Sequence, residues 1–547
     1  MKKGLLVKLL LLSGIHLTFA QAQKNMTLVG QLPYPAAELS NIWGYVDPQG
    51  REYALVGLTT GVSVVDLQNP AQPVEIQRIP GAVSDWREIK TWQNFAYATN
   101  ETGGGLLIMD LSGLPDTITY KDTVLAGINT AHTLWIDDGW LYLNGPDQFE
   151  GGTAIFNLNP HPDRPVLTGT YEQAYVHDMY SRGDTAYLAE ILEGTFTLLD
   201  ISDRSNPEVI VTVGYPNAFT HNTWLNDAGT VCFTTDELPA ASIIAWDISN
   251  PANIRQLDNI RSGLSKGKAI PHNVHVRNDY LISSYYRDGV HITDASRPGN
   301  MVEVGYYDTS PLENEGFNGV WGVYPFLPSG LILASDIEGG LFVLQASLRR
   351  ASWLEGSITD GETGELLGDV ELILGDSLSQ EKSRTDGSYA MGIADPGTYT
   401  IALYKYGYER DTLTVQLDSA IVTPLDIVLT PSPRVDVQVQ IREALSLAGI
   451  GGATLLARSL DGATEQTFST DASGNLLLER FVVNDYQFIA GKWGYLSAEQ
   501  FLQPDSNNNQ ITFLLQKGYA DDFSLDLGWK VQSDLLRGAW EKGKPIT

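Results

Sequence analysis

A phrase made of an apolar strand, an acid or amide and a turn recurs seven times between residues 61 and 345, and no other feature constrains the fold as strongly. The copies are GVSVVDLQNP at 61–70, GLLIMDLSGLP at 105–115, GTAIFNLNP at 152–160, GTFTLLDIS at 194–202, SIIAWDISNP at 242–251, GVHITDASRP at 289–298 and GLFVLQ at 340–345. Their marked residues are Asp66, Asp110, Asn157, Asp200, Asp247, Asp294 and Gln345, spaced 43 to 51 residues apart. A period of that size, built of short alternating strands with Gly, Asn and Pro between them, is the signature of propeller blades. Seven copies imply seven blades.

Each unit reads as four strands: one that opens on a polar residue, a YLAE-like strand, the GxxxxD strand, and an outer strand after the turn, such as PVEIQRIPG or PEVIVTVGYP. The seventh unit ends at GLFVLQ without an outer strand, while residues 26–35, MTLVGQLPYP, resemble an outer strand and precede the first unit. Pairing the two closes the ring and leaves no free edge.

At Ala351 the rhythm changes. Residues 353–430 carry TDGSY at 385–389, PGTY at 396–399 and KYGY at 405–408, and a degraded second copy follows with STDASGN around Asp471 and KWGY at 492–495. Tight-turn residues and core aromatics in stretches of this length read as β-sandwiches. The expected class is therefore all-β, a seven-bladed β-propeller followed by two small β-sandwich domains. The propeller is expected at 23–350 and the sandwiches at 351–431 and 432–516, with 517–547 a tail or the opening of a further domain.

The first 22 residues place lysines before an apolar run and end in Ala20-Gln21-Ala22, which reads as a secretory signal peptide. The apolar run is shorter than the ~20 residues that span a bilayer, and no later segment qualifies. One cysteine, Cys232, in an exported chain of 547 residues means a fold built without disulfides. Removing residues 1–22 deletes Lys2, Lys3 and Lys8 and no acids, taking the formal charge from -31 to -34. That surface opposes nucleic acid and anionic membranes and leaves cations, proteins or neutral carbohydrates as extracellular partners.

The repeated GVxVxDLSNP-like phrase, with its His-Asn, His-Asp or His-Thr strand starts, resembles the LVIVD-repeat propellers of secreted bacterial proteins in the choice-of-anchor B family, over about residues 26–345. Residues 353–430 resemble a carboxypeptidase-regulatory-like domain of the transthyretin-like sandwich class, an accessory module and not a peptidase. These resemblances imply a fold and an extracellular or cell-surface location, of Gram-negative bacterial type. They imply no reaction.

Four units carry histidine in one slot: His132, His177, His221 and His272 open first strands, with Arg87 in the second unit and Ser40 and Asn318 in the outermost ones. First-strand starts lie at the same rim as second-strand ends, where the repeat places Asn100 and Glu101, Glu190 with Glu193, Asp236 and Glu237, Tyr285 and Arg287, and Asp336 with Glu338. Neutral imidazoles beside carboxylates suit a divalent metal. His177, His221 and His272 are the candidate metal ligands, and Glu190 and Asp236 the candidate further ligands or general base. Arg87, His132, Tyr285, Arg287 and Asp336 are candidate ligand contacts. His132 faces Gly145 across its hairpin, with Asp147 the nearest acid in sequence.

The competing reading makes these histidines structural locks between blades, each bonded to a polar neighbour. His275, three residues after His272, shares a slot with Trp135, Tyr180, Trp224 and Trp321 and reads as packing; His161 and His291 read as structural. One Asp per Asp-x-x-Asn-Pro turn reads as turn capping and not calcium binding. The chain thus reads as an exported propeller that binds a ligand or partner at its rim with the sandwiches as spacers, or as a metal-dependent hydrolase, lyase or oxidoreductase working at the channel mouth.

Overall fold

The computed structural model describes residues 22–265, 268–310, 312, 316–520 and 523–527; all of the expected signal peptide but Ala22 and most of the expected tail lie outside them. Seven sheets hold the first part of the chain. The first blade shows the plan: Leu39–Val46, Glu52–Leu58, Gly61–Asp66 and Val74–Pro80 pair in sequence order, from the channel outward. The inner strands of the first six blades lie against one another in turn, and that of the seventh lies against the first blade's and against Tyr280–Ser284 of the sixth, so that they enclose a central channel. Burial follows position: Val231–Asp236, a second strand, is buried throughout, whereas the outer strand Glu208–Gly214 is largely exposed.

Six of the seven marked residues cap the turn after the third strand. Asp66, Asp110, Asn157, Asp200, Asp247 and Asp294 each accept a backbone N–H two residues on, at 2.7–3.1 Å. A short side-chain acceptor in this position builds an Asx turn, which explains why the acid recurs.

Met26–Leu32 pairs with Gly340–Ala346 and supplies the fourth strand of the seventh blade. Gly30 is required there. A Cβ at this position would stand 2.2 Å from the Pro70 carbonyl oxygen in the first blade's turn. Ahead of it, Gln23–Lys24 adds a short fifth strand to the sixth blade, opposite Tyr306 and Tyr307.

Four more sheets follow. One joins Ser388–Ile393, Ser352–Asp360, Val422–Pro424 and Ile427–Leu429, and another orders Ser379–Lys382, Glu371–Leu374, Gly397–Tyr404 and Asp411–Leu417. The second pair repeats this order with Asn475–Val482, Arg434–Glu443 and Gln510–Leu515, and with Glu465–Ser469, Thr454–Ser459, Tyr486–Gly491 and Ala498–Leu502. Val439, Ile441, Leu455, Phe488 and Phe513 draw both of the latter sheets into one core, which makes a sandwich. By compactness the chain divides into Met1–Trp353 with Gly392–Gly397 and Leu417–Thr423, and a second unit holding the rest. Among the described residues no helix is long and apolar enough to cross a membrane.

Deleting residues 26–32 removes the ladder to Gly340–Ala346 and exposes Met26's site, which should cost on the order of 5 kcal/mol of propeller stability. The truncated chain should melt earlier by circular dichroism and self-associate through the bared edge. A truncation that melts with the intact protein and stays monodisperse contradicts this closure.

Candidate functional site

Three layers of side chains fill the channel, each set by a fixed position on the first strands. The i and i+3 positions pair as Ser40 and Trp43, Arg87 and Lys90, His132 and Trp135, His177 and Tyr180, His221 and Trp224, His272 and His275, and Trp321 and Tyr324. In the seventh blade the mouth position thus belongs to Trp321 and not Asn318, and Tyr324 takes the packing slot that sequence gave to Trp321. A bulge puts the residue there: the first strand slips between Val320 and Gly322, as it does between Thr220 and Asn222.

The inner layer is an aromatic plug. Trp43 meets Trp135 edge to face with centroids 6.4 Å apart, Trp135 meets Trp224 at 5.1 Å, and Trp224 lies 4.7 Å from His275. The Lys90 ammonium sits 4.2 Å from the Trp43 ring centroid, a cation–π contact, and pairs with buried Glu88. Above the plug comes a polar layer in which Asn41 donates to Glu88 and Asn222 donates to Asp178 at 2.8 Å. Burial first, and then the charge of Glu88, pushes the Asp178 carboxyl up to about 6.

The outer layer is a cup at the channel mouth. Successive imidazoles of His132, His177, His221 and His272 stand 4.1, 4.4 and 4.2 Å apart by centroid. Glu237 lies beside them, 3.9 Å from His221 Nε2 and 3.7 Å from His272 Nε2, and accepts the Tyr286 hydroxyl at 2.6 Å. The cavity they line, with Thr133, Asn273 and Trp321, measures about 40 Å³. Burial, reinforced by repulsion among the rings, holds His177 well below its ordinary value and His221 and His272 at about 3. These three imidazoles are uncharged at neutral pH and keep a lone pair each.

Much of the locking between blades is done by hydroxyls on main-chain carbonyls. Thr99 donates to the His132 carbonyl at 3.0 Å, Thr133 to that of His177 at 2.6 Å, Thr235 to that of His272 at 2.6 Å, and Ser284 to that of Trp321 at 3.0 Å. In each case a hydroxyl of one blade holds the main chain of the next. Three imidazoles also bond across blades: His132 Nδ1 to Glu101, His132 Nε2 to His177 Nε2 at 3.1 Å, and His272 Nδ1 to the Trp321 carbonyl at 2.6 Å. His221 Nδ1 is buried with no hydrogen-bond partner.

Several residues expected in the site face elsewhere. Glu190 accepts the hydroxyls of Tyr171, Thr195 and Thr197 at 2.7, 2.6 and 2.8 Å. Asp236 accepts from Tyr215 at 2.8 Å and the Phe219 N–H at 2.7 Å, and Asp336 from Thr309 at 2.6 Å and the Gly339 N–H at 2.6 Å. Tyr285 is buried against His291, and Arg287 stands 3.5 Å from Asp288. Arg87 lines the cup but its guanidinium is committed to the carbonyls of Leu58, Thr99 and Ala82. Burial lowers it to about 10, so it still carries its charge at neutral pH. The physical reason for the misplaced carboxylates is the two-residue period of a strand: Glu190, Asp236 and Asp336 share one face with Asn100 and Tyr285, and the next residue along, Glu237 after Asp236, Glu101 after Asn100 and Tyr286 after Tyr285, takes the other. Alternation, read from the buried end of each second strand, would have found Glu237. His132's acid is Glu101 of the preceding blade, while Asp147 is occupied by the N–H and side-chain amide of Asn129.

The profile of the LVIVD repeat matches residues 175–214, which are the fourth blade and its approach. Among curated proteins none matches the chain in sequence. The crystal structure of a putative 6-phosphogluconolactonase from Bacteroides uniformis is similar to it at 13% identity and a TM-score of 0.42, covering 65% of this chain and 99% of that one.

Glu190→Gln should leave buried hydroxyls imperfectly paired and destabilise the propeller by about 1–3 kcal/mol in urea unfolding. Tyr171→Phe should do the same to a smaller extent. Equal stability of both variants and the parent would contradict a structural role for Glu190.

Proposed function

We propose that this chain is an exported or cell-surface binding protein whose working site is the cup at the channel mouth, with the sandwich modules as spacers. The observation that carries this reading is the separation of tasks in the histidine slot. Main-chain carbonyls and the opposite-face acids hold the blades together, so the convergence of four imidazoles on one small cavity goes beyond what the fold needs. His221 Nδ1 is buried without a hydrogen-bond partner, which leaves it free to serve a ligand.

Size narrows the ligand. About 40 Å³ holds an ion with one or two waters and excludes a sugar ring from the cup itself. A larger partner would engage the surrounding rim, where the loops expose Val83, Trp86, Leu192, Leu238 and Phe317. Exposed apolar side chains on loops around a polar cavity favour a protein partner there. The LVIVD repeat in the fourth blade and the resemblance to choice-of-anchor B propellers agree with a binding role outside the cell.

A metal-dependent enzyme is the second reading, and Glu101 favours it. Its side chain is 32% exposed at the mouth and bonded to His132, so it could pass a proton between solvent and the cup.

A thermal-shift panel of divalent cations, small carboxylates and monosaccharides separates the possibilities. At 100-fold over its dissociation constant a ligand adds about 2.7 kcal/mol of stability. At least one class should raise the melting temperature of the whole chain, and His177→Ala and His221→Ala should each abolish that rise. No effect from any class, or a rise that survives both substitutions, would refute the cup as the site.

A further inference from the structure

We infer that the cup binds one divalent first-row transition metal through His177, His221 and Glu237, with His132 and His272 oriented toward the same ion. This inference rests on the cup being the working site. One ligand atom from each of His177, His221 and Glu237 lies within 4.8 Å of the other two, close enough for a single ion to gather them at ~2.0–2.2 Å by small side-chain movements.

Hydrogen bonding at the back of the two flanking rings, His132 and His272, adds to proximity. A histidine that ligates a metal nearly always donates its other N–H to a carboxylate or a main-chain carbonyl, which fixes the tautomer and turns the free lone pair toward the ion. His132 gives Nδ1 to Glu101, and His272 gives Nδ1 to the Trp321 carbonyl at 2.6 Å. Both rings therefore present Nε2 lone pairs to the cup. The His272 lone pair faces Glu237 Oε1 across 3.7 Å, an acceptor opposite an acceptor with no proton between them. A cation gathered in the cup relieves that opposition. His132 Nε2 and His177 Nε2 stand 3.1 Å apart, so His177 either donates there and ligates through Nδ1 or turns Nε2 to the metal.

Donor type and room agree. Two uncharged imidazoles and one carboxylate suit zinc, manganese or iron(II) and do not suit calcium, which takes six to eight oxygens. The Tyr286 hydroxyl donates to Glu237 Oε1, the oxygen that faces His272, and leaves Oε2, 3.9 Å from His221 Nε2, for the ion. A cavity of about 40 Å³ leaves space for a water or a small anion on the metal's open side.

The test uses the whole purified chain, stripped with chelator and titrated with Zn²⁺, Mn²⁺ or Co²⁺, with bound metal counted by elemental analysis and the Co²⁺ adduct followed by its visible absorption. One equivalent should bind. His177→Ala, His221→Ala and Glu237→Gln should each weaken binding at least 100-fold and remove the Co²⁺ band, while Glu101→Gln weakens it about 10–100-fold at unchanged stoichiometry. Asp236→Asn, one residue away on the opposite face, should bind like the parent. Circular dichroism confirms that each variant is folded, and His177→Gln replaces His177→Ala if the latter is not. A folded parent that takes up no metal, or variants that bind as the parent does, overturns the inference. If metal fails while another ligand still raises the melting temperature in a His221-dependent way, the cup remains the site and only its metal is refuted. If neither binds, both readings fall.

Discussion

Closure of the ring by Met26–Leu32 against Gly340–Ala346 is the constraint on which the rest of the structure depends. With the seventh blade completed from the far end of the propeller sequence, the seven blades form one closed ring. The circumference is then fixed, and so is the distance between equivalent side chains on neighbouring blades. Imidazoles 4.1–4.4 Å apart follow from that geometry, because four consecutive blades carry histidine at one position. Without closure the same four residues would be a sequence pattern with no common site.

What the blades need in order to stay together, and what the mouth offers to a ligand, are supplied by different atoms of the same strands. Hydroxyls of Thr99, Thr133, Thr235 and Ser284 hold the next blade's main chain. Acids on one face of the second strands, Glu190 and Asp236 among them, accept the tyrosine hydroxyls of Tyr171 and Tyr215. An aromatic plug lies beneath, and burial keeps His177, His221 and His272 uncharged. A cup of neutral nitrogen donors beside Glu237 is the result, and it is open at the rim.

The architecture was legible in the sequence because propeller blades announce themselves by period: the seven phrases, the turn-capping acid and the displaced outer strand could all be read by counting. The histidine ring was legible for the same reason. Its carboxylate partner was not, because at a strand end a one-residue shift reverses the direction of the side chain, and Asp236 and Glu237 are both acids. Bulges defeated the count in the seventh blade, where Trp321 takes the mouth position three residues beyond Asn318. The reach of Glu101 to His132 across a blade boundary was hidden as well, since it depends on how neighbouring blades pack and not on spacing along the chain. Arg87 was placed correctly at the mouth, yet its role was misread, because only the structure shows its donors consumed by three carbonyls.

The most direct test of the central claim, that the mouth imidazoles are ligands and not locks, is nitrogen-15 NMR of histidine-labelled whole chain titrated with Zn²⁺. The account predicts that ring-nitrogen resonances of His177 and His221 shift and saturate at one equivalent, while those of His275 in the plug and His291 in the sixth blade stay where they are. Resonances of all four that remain unmoved at saturating Zn²⁺ would contradict it.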